Sequence, residues 1–92
     1  MMFARQLRSR VRSGEIRCSV RIWQRPRVKV GGCYPIDGGH IVVEDMREIG
    51  PDDVTDALAR RSGFADVADL LGTAQHGHGD RIFLIDFRFE EV

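Results

Sequence analysis

The sequence is expected to fold as one α+β domain, and three observations carry that expectation. Residues 16–23 and Arg81–Glu91 alternate apolar and polar side chains with the period of two that marks a strand. Elsewhere, apolar residues recur three and four apart, as they do along one face of a helix. The chain has 92 residues, 42% of them hydrophobic, which is enough for one modest core and too few for two. Residues 1–92 therefore read as a single domain.

The elements follow in order. Phe3, Leu7 and Val11 share one face of a short helix with Arg5, Arg8 and Arg12 on another, and Ser13-Gly14 ends it. In the strand at residues 16–23, Ile16, Cys18, Val20 and Ile22 form the expected core face. Arg17, Ser19, Arg21 and Trp23 form a polar face with an aromatic end. Pro26 breaks this strand, residues 28–30 read as a short extended piece before Gly31-Gly32, and Cys33–Ile36 reads as another strand. Gly38-Gly39 introduces a strand over residues 40–49, in which Ile41, Val43 and Asp45 alternate with Val42, Glu44 and Met46. Pro51-Asp52-Asp53 has the composition of a helix start, and Val54, Ala57, Leu58 and Arg61 continue at helical spacing to a stop at Gly63. A second helix over residues 66–74 turns Val67, Leu70 and Leu71 inward. Arg81–Glu91 is the strongest strand, with Phe83, Ile85, Phe87 and Phe89 on one face.

The formal net charge is zero, but the charge is unevenly placed. Residues 1–36 hold nine basic side chains against Glu15 alone, whereas the rest of the chain holds five against thirteen acids. That polarity points to an anionic partner for the first third. No apolar run reaches the roughly 18 residues of a membrane helix, so no membrane partner is expected and the chain reads as cytoplasmic. Cys18 and Cys33 are too few for a disulfide framework and lack zinc-ligand spacing. His76-Gly77-His78 reads as a polar loop, so neither a metal nor a cofactor is expected. Cys18 falls on the core face, which makes it an inert thiol. Walker A, Rossmann, G-x-S-x-G and H-E-x-x-H patterns are missing from the sequence.

Several stretches resemble the ASCH domain, a small β-barrel related to the PUA fold of RNA-modifying proteins. They are Ser13-Gly14 before an Arg-ending strand, Val30-Gly31, Ser62-Gly63-Phe64, Val67-Ala68-Asp69-Leu70, and the final strand over residues 83–89. The family signature G-x-K-x-x-E-x-R, with Thr for Glu in an amidohydrolase branch, reads here Gly14-Glu15-Ile16-Arg17-Cys18-Ser19-Val20-Arg21. The resemblance implies an ASCH-type, PUA-like barrel with about three flanking helices and a cleft for RNA or a nucleotide-like small molecule. Ile16 occupies the lysine position, and an isoleucine cannot accept a proton, so the family's lysine-dependent catalysis is not expected.

The expected binding residues are Arg17, Arg21, Trp23, Arg25 and Lys29, because guanidinium and ammonium groups pair with phosphates and an indole stacks on bases. Trp23 has the alternative of closing the core. Two other functions stay open. A small hydrolase, acting on an acylated cytidine-like nucleoside or as a ribonuclease, would use Ser19 with Asp69 or His76 as its base. An adaptor would dock the Arg5, Arg8 and Arg12 stripe on an acidic protein. Sequence leaves the oligomeric state open.

Overall fold

The computed structural model describes residues 2–74 and 79–91. A 3-10 turn at Arg5–Leu7 runs into α1 (Arg8–Arg12), followed by β1 (Cys18–Trp23), β2 (Cys33–Ile36) and β3 (Gly39–Ile49). A second 3-10 turn at Pro51–Asp53 precedes α2 (Asp56–Arg61), α3 (Val67–Ala74) and β4 (Arg81–Glu91). The four strands are antiparallel in the order β1-β4-β3-β2, and the sheet curls into half a barrel. Closure goes no further among the described residues, where β1 and β2 are the edges. β4, the most strictly alternating segment, lies inside the sheet and pairs with strands on both sides.

The sheet buries both faces, which corrects the expectation that β1 has one core face and one polar face. Phe3, Leu7 and Val11 cover one side, packing with Trp23, Phe83, Ile85 and Phe87. Leu58 and Ala59 of α2 and Leu70 and Ala74 of α3 cover the other, against Cys18, Val20, Ile22 and Leu84. The cause is the N-terminal segment, whose apolar face needs a surface to bury and finds it on this side of β1 and β4. Ile16 is also displaced from its expected side. It packs with Phe3 and Leu7, because its N–H donates to Arg10 O (3.1 Å) and ties it to the end of α1 before the regular strand begins at Cys18.

Two local corrections have backbone causes. Residues 28–30 do not form a strand. Instead Gly31 N–H donates to Val43 O (2.8 Å) and Val43 N–H donates to Gly32 O (3.0 Å), with Gly31 at φ +82°. This is a glycine bulge, in which a left-handed residue places two residues opposite one. The pairing of β3 with β4 also shifts register between Val43 and Asp45, leaving Glu44 as an extra residue. Beyond it the alternation reverses, so Met46 joins Ile41 and Val43 on one face and Ile49 joins the other.

Pro51 does not open the α2 helix. The 3-10 turn that it begins closes by Gly50 N–H donating to Asp53 Oδ2 (2.9 Å), and Thr55 then caps α2 by accepting from Leu58 N–H (3.1 Å). At the exposed rim of the sheet, hydrogen bonding from Arg81 to Glu48 (2.9 Å) holds the Glu48 carboxyl below its ordinary pKa. Arg88 and His40 do the same for Glu90. Such solvent-facing pairs contribute little to stability.

Candidate functional site

Along the β1 edge lies a cavity of about 620 Å³. The N-terminal segment lines it through Phe3 and Leu7, together with Trp23 and Val28. Phe64, Thr73 and Ala74 also line it. Gly63 makes part of this lining possible. It takes φ +97° at the end of α2, and a Cβ there would sit 2.7 Å from Ile16 Cδ1 and 2.9 Å from Leu7 Cδ2. Without a side chain, this turn closes against Ile16 and Leu7 and brings Ser62 and Phe64 to the cavity.

The polar groups of the cavity centre on Arg21. Its side chain leaves β1 on the face covered by Phe3, and Cζ lies 5.1 Å from the Phe3 ring centroid. Nε donates to Ser19 Oγ (2.8 Å) and Nη2 donates to the Met2 carbonyl (2.5 Å). The hydroxyl of Ser19, which is 8% exposed, thus serves as an acceptor. Arg21 takes part in none of the ion pairs among the described residues, which all join solvent-facing side chains. Burial lowers its pKa from the ordinary value, since desolvation disfavours the charged form. A half-buried guanidinium without a carboxylate is costly to hold, and a second cation, Arg27, lines the same cavity.

Of the residues expected from sequence, the structure brings Ser19, Arg21 and Trp23 together here. Trp23 is 8% exposed and lies 5.9 Å from Phe83 between ring centroids, so it belongs to the core while also bounding the cavity. Arg17 lies elsewhere: its Nε donates to Gly14 O (3.2 Å), and it lines a separate cleft with Glu44 and Asp86. Arg25 and Lys29 are exposed on the loop after β1, beside Arg27. Asp69 is not part of the cavity lining, and its Oδ2 accepts from Ala65 N–H (2.9 Å) near the start of α3. His76 lies outside the described residues.

Ile16, at the position of the signature lysine, is 1% exposed and packs into the core. Cys18 is also buried, with Sγ 3.6 Å from Ser62 Oγ. On α1, Arg8 and Arg10 engage Asp37 and Glu15, which occupies part of the basic stripe. Among the described residues no group of three or more His, Cys, Asp or Glu side chains could hold a metal ion, and no helix is long and apolar enough to cross a membrane.

Sequence reasoning missed Phe3 as a cavity wall and the role of Ser62 and Phe64. The signal for the latter pair was Gly63, which marks a close approach but does not say to what. Comparison with protein-family models, curated proteins and solved structures finds no match to this chain.

Proposed function

We propose that the domain is a binding module for RNA or a nucleotide, taking one unstacked nucleotide into the β1 cavity. The observation that carries this reading is the half-buried Arg21, which lines an apolar cavity and has no carboxylate partner among the described residues. An anionic ligand would supply the missing counter-charge, and charge-assisted hydrogen bonds to phosphate are among the stronger ones available. A cavity of about 620 Å³ is within the size range of small-ligand sites. Its apolar walls suit a base, and Arg27 in its lining, with the exposed Arg25 and Lys29 on the same loop, suits flanking phosphates.

The ASCH-like, PUA-type identity suggested by the sequence is part of the same proposal. The half-barrel and the position of Arg21 on β1 are compatible with it. Binding is favoured over hydrolysis because the Ser19 hydroxyl is engaged by a cation, and no basic group among the described cavity residues stands ready to take its proton.

Equilibrium titration of a fluorescent single-stranded oligouridylate at two salt concentrations tests the reading. Affinity should exceed that for duplex DNA and fall as salt rises, because bound cations displace condensed counterions. Absence of binding at low salt, or binding indifferent to salt, would refute it.

A further inference from the structure

We infer that the cavity selects a terminal phosphate monoester, the phosphorylated end of a nucleotide or short RNA, over an internal phosphodiester. The inference rests on the binding reading above and names the chemical group that Arg21 would receive.

Two of Arg21's donors are already occupied, Nε by Ser19 Oγ and Nη2 by the Met2 carbonyl. That leaves Nη1 and the remaining hydrogen of Nη2, to which the Ser19 hydroxyl adds its own proton, since its oxygen accepts from Arg21 and its proton has no acceptor among the described residues. Arg21 and Ser19 both line the cavity, so a ligand there meets both residues. A terminal monoester presents three unbridged oxygens and nearly two negative charges to them, whereas an internal diester presents two oxygens and one charge.

Access favours the same group. The Met2 carbonyl is fastened to Arg21 and the Phe3 ring lies against the guanidinium, so the N-terminal segment is pinned beside the Arg21 head group. Phe3 is itself held down, with its carbonyl accepting from Arg8 Nε (3.3 Å) and its ring packed 5.3 Å from Phe87. A chain end has to pass this segment on one side only. An internal phosphate would have to bring both flanking nucleotides past it, at the cost of the Met2 and Phe3 contacts.

The test is a competition titration of the intact protein with three matched oligouridylates: 5′-phosphorylated, 3′-phosphorylated and unphosphorylated. At least one phosphorylated form should bind about tenfold more tightly than the unphosphorylated one, and the arm that does so identifies which end is read. Arg21→Met should erase that preference, and Ser19→Ala should reduce it, with circular dichroism melts confirming that each variant is folded. Equal, salt-sensitive binding of all three oligonucleotides would overturn the end preference while leaving the RNA-binding reading intact. No binding of any of them would overturn that reading itself. A preference that survives Arg21→Met in a folded protein would show that the phosphate sits elsewhere and would overturn the assignment.

Discussion

Phe87→Ala should lower the free energy of unfolding by about 3 to 5 kcal/mol, the usual cost of emptying a large aromatic site in a core. Phe87 is 1% exposed, and its ring lies 5.3 Å from Phe3 at an interplanar angle of 56°. Its strand, β4, joins β1 to β3, so the cavity left by truncation would open where the N-terminal segment meets the sheet. Domains of this size are marginally stable, and a loss of that magnitude is a large part of the total. Urea unfolding followed by circular dichroism measures it. Phe89→Ala, half-buried on the same face of β4, is the internal comparison and should cost less. Similar midpoints for the two variants would show that the core is not centred on Phe87.

Arg21→Met should weaken binding of a phosphorylated oligouridylate by tenfold or more, about 1.4 kcal/mol, while leaving the unfolding midpoint unchanged or raised. Methionine keeps an unbranched apolar stem against Phe3 and removes the charge. The variant loses the hydrogen bonds to Ser19 and Met2 and the contact with the Phe3 face. Against those losses stands the relief of a desolvated cation with no carboxylate beside it, and replacement of buried charge by apolar groups is often neutral or stabilising. A residue retained for binding at some expense of stability should behave this way. Thermal melts and titrations of the same two proteins give both readings. A melting point that falls as far as that of Phe87→Ala would make Arg21 a structural clamp for the N-terminal segment.

The strand pattern was legible wherever a segment carried its own alternation. β4 was readable from Arg81 to Glu91 because Phe83, Ile85 and Phe87 alternate without interruption. β3 was readable in extent but not in its second half, since the extra residue at Glu44 reverses the faces without leaving a glycine or proline as a marker. The two-sided burial of β1 was hidden for a different reason. Ser19 and Arg21 are polar, which marks their side of the strand as a polar face, whereas here these side chains hydrogen-bond each other beneath Phe3. Arg21 could be singled out from its signature position, but Asp69 and Arg17 could not be separated from it. Their placement depends on how α3 and the turn after Gly14 pack, which is tertiary information. Phe64 stayed hidden because only the fold shows that Gly63 brings the end of α2 to Leu7 and Ile16.

The most direct test of the cavity assignment is a two-dimensional NMR titration of isotopically labelled protein with uridine 5′-monophosphate, following backbone amides and arginine Nε–H groups. The largest shifts are expected at the Arg21 Nε–H and at the amides of Ser19, Phe64 and Thr73, with smaller ones at Arg27. Shifts confined to the exposed Arg25 and Lys29 region, or the absence of any shift at Arg21 while the nucleotide binds, would contradict the assignment.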